Sequence, residues 1–206
     1  MAMQYGFYFD AEKCTGCKTC QLACKDYKNL SRDINFRRVY EYSGGDWQAI
    51  GETWEQTVFS YYLSIACNHC SKPVCVEVCP SGAMYQRPED GIVTVDEDLC
   101  IGCQLCHMSC PYDAPQYDAD KGHMTKCNGC YERLAVGLKP VCVESCPTRA
   151  LDFGPIEELR ARYGRFATIA PMPPEIFTAP NIVVRPNPNA RQGADRTGRL
   201  GNAEEV

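Results

Sequence analysis

The sequence predicts an α+β chain of two small modules, one nested inside the other in sequence, followed by an extended C-terminal tail. Three observations predict it. The 206 residues carry 16 cysteines in four groups of four with short internal gaps. The groups are related in pairs by repeated flanking sequence, the first with the third and the second with the fourth. The second and third groups are contiguous, which leaves the first and fourth to close around them.

The first group is Cys14, Cys17, Cys20 and Cys24, and the second is Cys67, Cys70, Cys75 and Cys79. The third is Cys100, Cys103, Cys106 and Cys110, and the last is Cys127, Cys130, Cys142 and Cys146. Groups one and three match the bacterial ferredoxin run C-x2-C-x2-C-x3-C, in which three close thiolates wrap one cubane and the fourth reaches the neighbouring cluster. Pro80, Pro111 and Pro147 follow the last cysteine of groups two, three and four. The modules are therefore expected to be ferredoxin-like, each with two [4Fe–4S] clusters. Zinc also accepts paired cysteines, but its motifs come as isolated knuckles and need no trailing proline. A disulfide framework is disfavoured by the same spacing and by the lack of a signal peptide at the start.

Taken in order, the chain opens with the strand material Phe7-Tyr8-Phe9, an aspartate turn at Asp10 and the first cysteine run. The same plan recurs at Val93-Thr94-Val95-Asp96 ahead of Cys100. Residues 31–66 form an inserted segment, with strands expected at 37–42, 54–60 and 61–65 and a turn at 43–46. That segment either touches a partner or caps a thin core. Groups two and three then make the inner module, residues 67–119. The motif Cys75-Val76-Glu77-Val78-Cys79-Pro80 returns as Cys142-Val143-Glu144-Ser145-Cys146-Pro147, so residues 1–30 and 120–155 make the outer module. Residues 156–206 are expected to form a helix and an extended partner-binding tail. Pro155 starts the helix over 155–163 and Gly164 ends it. The tail beyond residue 170 has too few apolar residues to fold alone and is expected to be either disordered or laid out over a partner's surface. Its stretch 177–184 is expected to lie on a partner's surface.

Pairing group two with three, and one with four, sorts the ligands by the three-plus-one rule. Cys14, Cys17, Cys20 and Cys146 form one set, and Cys24, Cys127, Cys130 and Cys142 its neighbour. Cys67, Cys70, Cys75 and Cys110 form a third, and Cys79, Cys100, Cys103 and Cys106 a fourth. Sequential pairing, one with two and three with four, would leave like motifs in unlike places. Gly16 and Gly102 stand between ligands, where the backbone is expected to bend close to a cluster. Group one has Lys25 where the others have proline: either a charge near the clusters or a solvated surface lysine. His69, His107 and His123 are expected in supporting or surface roles. No catalytic residues are expected, because no nucleophile–base pair or phosphate loop is recognisable.

A net charge of −5 and a pI near 5.3, with no basic stripe visible, give no support to a nucleic-acid-binding reading. No apolar run is long enough to span a membrane. Arg37-Arg38 is not followed by an apolar stretch, so it does not read as an export signal.

Several non-ligand stretches carry a resemblance: Gln4-Tyr5-Gly6-Phe7, Thr15-Gly16 with Lys18-Thr19 in the first run, Tyr40-Glu41-Tyr42 leading into Gly44-Gly45-Asp46-Trp47, Gly122-His123-Met124-Thr125-Lys126 and Arg149-Ala150-Leu151-Asp152-Phe153-Gly154-Pro155. With the cysteines, they make the chain resemble the iron–sulfur subunits of dimethyl sulfoxide reductases, within the four-cluster subunits of molybdopterin oxidoreductases. That resemblance implies an electron-transfer subunit with four [4Fe–4S] clusters and no catalysis of its own. It implies two partners, a molybdopterin-containing catalytic subunit reducing S- or N-oxides and a quinol-oxidising membrane anchor. It also implies a peripheral place on the cytoplasmic membrane, on the periplasmic face through co-export with a signal-bearing partner. In some relatives the position of Cys103 is not cysteine and that cluster has three irons; here four cubanes are expected. The alternative is the equivalent subunit of a polysulfide, thiosulfate, tetrathionate or formate oxidoreductase.

Overall fold

The computed structural model describes residues 3–193 and 195–206. Strand β1 (Tyr5–Asp10) leads to helix α1 (Thr19–Tyr27), and β2 (Arg38–Gly44), β3 (Trp47–Ile50), β4 (Thr53–Gln56) and β5 (Phe59–Ile65) follow. Next come the short helix α2 (Val74–Glu77), strands β6 (Met84–Gln86) and β7 (Val93–Val95), helix α3 (Leu105–Ser109), and strands β8 (Gln116–Asp118) and β9 (His123–Thr125). The chain continues through α4 (Tyr131–Leu134), α5 (Val141–Glu144), β10 (Leu151–Pro155) and α6 (Ile156–Tyr163) to β11 (Ile182–Arg185) and β12 (Gly198–Leu200).

β1 is the middle strand of a three-stranded sheet, antiparallel to β10 and parallel to β11. Its run Phe7-Tyr8-Phe9 is buried throughout because both faces are covered. Phe7 and Phe9 belong to the main core, whereas Tyr8 turns to a second cluster with Ile156 and Leu159 of α6 and Val183 of β11. The pairing of Phe9 with Leu151 draws the segment just before Cys14 beside the segment just after Cys146. Helix α1 packs on α5, so the first and last cysteine groups meet across most of the sequence. The inner stretch lies between them as the hairpins β6–β7 and β8–β9 with α2 packed on α3.

Two expectations are corrected. The strand expected over 54–60 is broken, because Thr57 closes a small loop with Asp46. The Thr57 amide donates to the Asp46 carbonyl at 3.0 Å, and the Asp46 amide to Thr57 Oγ1 at 3.1 Å. Beyond that closure β3 and β4 stand out as a two-stranded arm, exposed along its whole length.

The second correction concerns the tail. Ile182, Val183 and Val184 do not await a partner; they are buried in this chain as β11, though Ile176 and Phe177 remain exposed. The stretch beside β11 also stitches down the loop that carries Cys67 and Cys70. Ser71 and Lys72 amides donate to the carbonyls of Ala179 and Thr178 at 2.9 and 3.0 Å, and Asn181 Nδ2 donates to the His69 carbonyl at 2.7 Å. Further on, β12 pairs with β2, and Asn202 bridges back to the Glu41 amide and Val39 carbonyl at 2.8 Å each. Long-range strand pairing supplies the apolar partners that the tail lacks locally.

Candidate metal centres

The fold gathers cysteines from distant groups around common spaces. Cys14, Cys17, Cys20 and Cys146 line one cavity together with Phe9, Val39 and Ser64. Cys24, Cys127, Cys130 and Cys142 line another, and Cys67, Cys70, Cys75 and Cys110 a third. Cys79, Cys100, Cys103 and Cys106 lie close enough for three of them to raise the thiol pKa of the fourth, Cys106. Among the described residues, no three His, Cys, Asp or Glu side chains converge where a single ion would sit. The thiols instead surround space.

Local backbone explains the spacing. Each C-x2-C-x2-C run has a left-handed residue before its helix, Lys18 (φ 58°) ahead of α1 and Gln104 (φ 62°) ahead of α3. Gly16 and Gly102 are also left-handed, at φ 69° and 67°, which favours glycine. What a side chain there would strike is protein: a Cβ on Gly16 would meet the Tyr62 ring at 2.4 Å, and one on Gly102 the Gly122 carbonyl at 2.7 Å. Crowding by the fold is therefore the constraint found there.

The prolines act as expected of helix stops. Helix α3 ends at Ser109 and Cys110 is extended (ψ 115°), the conformation a following proline imposes. Without that proline, α1 runs past Cys24 to Tyr27. The turns after Cys-Pro curl amides back onto sulfur. Met84 N–H donates to Cys79 Sγ at 3.3 Å and Ala150 N–H to Cys146 Sγ at 3.2 Å, while the amides of Ala114 and Tyr112 face Cys110.

The thiols repel one another in the absence of a cation. Burial, then the neighbouring thiolates of Cys20, Cys146 and Cys17, pushes Cys14 up to about 11 despite the Gly16 amide. Burial and the Cys127 thiolate push Cys130 to about 12. Burial and the Cys67 thiolate do the same to Cys70. Four thiolates held together in a dry pocket need a compact cation among them. The sulfur-directed amides and the all-thiolate donor sets fit an iron–sulfur cluster.

Comparison with known proteins agrees. A family model described as a 4Fe-4S dicluster domain matches residues 58–156, and one described as a 4Fe-4S binding domain matches residues 5–26. The chain is 64% identical over 206 residues to the iron–sulfur subunit of anaerobic dimethyl sulfoxide reductase of Escherichia coli (strain K12), covering 100% of both proteins. This chain is a member of the family of anaerobic dimethyl sulfoxide reductase iron–sulfur subunits. The corresponding subunit of Haemophilus influenzae is 62% identical over 204 residues, covering 98% of this chain and 99% of its own. A thiosulfate reductase electron transfer subunit of Salmonella typhi is 40% identical over 156 residues, 75% of this chain and 78% of that one. This family member is thus an iron–sulfur protein of the electron-transfer type, and no helix of the described residues is long and apolar enough to cross a membrane.

Around the thiols, this member of the reductase iron–sulfur family places charges that sequence reasoning missed or misjudged. Lys25 is not a free surface lysine. Its Nζ donates to the carbonyls of Ser31, Arg32 and Ile34 at 2.8, 2.7 and 2.9 Å, clamping the loop after α1. His69 is fully buried; Nδ1 accepts from the Val93 amide at 3.2 Å, and the ring faces the Cys127 thiol. Burial alone would raise Cys127, but His69 brings it below the ordinary thiol value. Lys126 is buried with Nζ donating to the Cys127 carbonyl at 2.7 Å and to the Val93 carbonyl. Arg37 lines the cavity of Cys24, Cys127, Cys130 and Cys142. The available signal for Arg37 was a charge embedded in strand-forming sequence, Phe36-Arg37-Arg38-Val39, which is unusual unless the charge has a buried partner.

Proposed function

We propose that the chain relays electrons through four [4Fe–4S] clusters, one in each of the four ligand sets. Electrons would pass from a quinol-oxidising membrane subunit to a molybdopterin catalytic subunit reducing dimethyl sulfoxide or related S- or N-oxides. The chain itself makes no bonds. In this reading it is peripheral on the periplasmic face of the cytoplasmic membrane, carried there by a signal-bearing partner.

The observation that carries the reading is the exposure of the ligands. Among the sixteen cysteines only Cys17 and Cys103 are exposed, and they belong to different sets. The sets between them are linked wall to wall. Cys75 lies within α2 and Cys79 just beyond its end, and α2 packs on α3, which carries Cys106 and stops just before Cys110. Cys67 and Cys127 share His69, and Cys20, Cys127 and Cys142 surround Arg37. Bound clusters would exchange single electrons without proton chemistry. The residues do the rest: cysteines fix the spacing, sulfur-directed amides favour the reduced state, and the core between sets excludes water. An exposed ligand at each end of the series suits entry and exit.

The exposed arm supports a place within an assembly. The pairings Trp47↔Gln56 and Ala49↔Trp54 put both tryptophans on one face, where they are 58% and 66% exposed. An isolated two-stranded hairpin is marginal in water, and exposed tryptophans are the residues that anchor interfaces. The double variant Trp47→Ala/Trp54→Ala is expected to keep its iron yet lose co-purification with the reductase complex, since each anchor is worth about 2 kcal/mol or more. Undiminished recovery of the complex would remove the arm as a contact.

The function is tested by iron and acid-labile sulfide analysis of anaerobically purified complex, with EPR after dithionite reduction. About sixteen irons per chain and the broad spectrum of coupled cubanes are expected. Zinc in place of iron, or a fully occupied protein with far fewer irons, would overturn the relay.

A further inference from the structure

We infer that Arg37 is a fixed positive charge serving two clusters at once, raising the reduction potential of the one held by Cys24, Cys127, Cys130 and Cys142 and of its neighbour at Cys20. The inference rests on the ligand sets proposed above and goes beyond them, because it assigns a redox-tuning role to a residue that is not a ligand.

The guanidinium is 1% exposed, the largest fully buried side chain among the described residues. Nη1 donates to the Ser64 carbonyl and to Ser64 Oγ, both at 3.2 Å, and the plane lies 4.5 Å from the Phe7 ring centroid. Nε and Nη2 are buried with no hydrogen-bond partner among the described residues. Ser64 Oγ in turn lies 3.4 Å from Cys20 Sγ, in the other cavity. Arg37 therefore reaches one ligand set directly and the second through Ser64.

Such a side chain is costly unless an anion completes it, since arginine stays charged at any accessible pH. The cavity it lines is walled by the sulfurs of Cys24, Cys127, Cys130 and Cys142 with Phe7, Phe36 and Lys28. No carboxylate is among them. The two idle donors point to an acceptor richer than a thiol, and a reduced cluster, which gains a negative charge, supplies one. A fixed cation favours that reduced form over the oxidised one, which moves the midpoint upward. A purely structural arginine, held by Phe7 and Ser64, would not leave two buried donors unpaired beside a cavity that it lines.

The test is an EPR-monitored redox titration of the assembled complex carrying Arg37→Gln or Arg37→Lys, with iron counted first. Arg37→Gln is expected to keep four clusters while one or two midpoints shift downward; Arg37→Lys, which keeps the charge, should show little of that shift. In a Cys103→Ser background the distant altered cluster should titrate as it does without the Arg37 change. An iron-complete Arg37→Gln complex with all midpoints unchanged overturns the inference and leaves the relay standing. Wild-type complex without iron overturns the relay first. Should both variants fail to assemble iron, wild-type protein labelled with guanidino-15N arginine decides: nitrogen coupling to a reduced cluster supports the role, and its absence refutes it.

Discussion

A chain ending at residue 180 is expected to accumulate poorly and to hold well below its full iron, although every cysteine remains. Truncation there removes β11, and with it Ile182, Val183 and Val184, each buried to 3% exposure or less. Burying such a side chain is worth about 1.5–3 kcal/mol, and the whole of a domain's stability is only about 5–15 kcal/mol. The loss also frees one edge of β1 and takes Asn181 from the His69 carbonyl, so the loop carrying Cys67 and Cys70 loses a clamp. A second truncation ending at residue 193 keeps β11 and removes residues 194–206, which include the strand β12. Iron content and thermal unfolding of the two should differ sharply. Equal iron and equal melting would show that β11 does not hold the core.

Cys103→Ser is expected to convert one cluster to a three-iron form and leave the other three unchanged. Cys103 is exposed, so serine and solvent would stand where the thiolate held one corner, and the iron there is the one lost. EPR of the oxidised variant should show the three-iron signal, with iron falling by about one per chain. The companion change Cys79→Ser should strike the same cluster, although Cys79 lies in a different group along the sequence. Its thiol is held low by the Met84 amide and Ser81 against an upward push from burial, which suits a ligand. Loss of two clusters in either variant, or damage to different clusters by the two, would require the ligand sets to be redrawn.

Much of the site was legible in the sequence because ligands must come close together along the chain. Three cysteines of a cubane within seven residues need only local backbone, and Gly16, Gly102 and the prolines after Cys79, Cys110 and Cys146 mark where that backbone bends. The repeats carried the next level. A motif recurring at Cys75-Cys79 and Cys142-Cys146 implies equivalent places in a two-module design, and the pairing of β1 with β10 has the first and last groups meeting.

What the sequence determined by itself was thus the α+β class, the iron–sulfur family and the local bends of the cysteine runs, all properties of spacing and turn residues. The tertiary structure alone decided the rest. It placed 182–184 in the protein's own sheet, since an apolar stretch finds its partner by burial and β1 offered an open edge nearby in space, not in sequence. It lifted β3–β4 into a free arm through the Asp46–Thr57 closure. It drove Arg37 and His69 between ligand sets, where their charge and polarity acquire meaning only from thiols contributed by distant segments. Burial and electrostatics depend on what lies opposite in space, and spacing along one chain does not contain that.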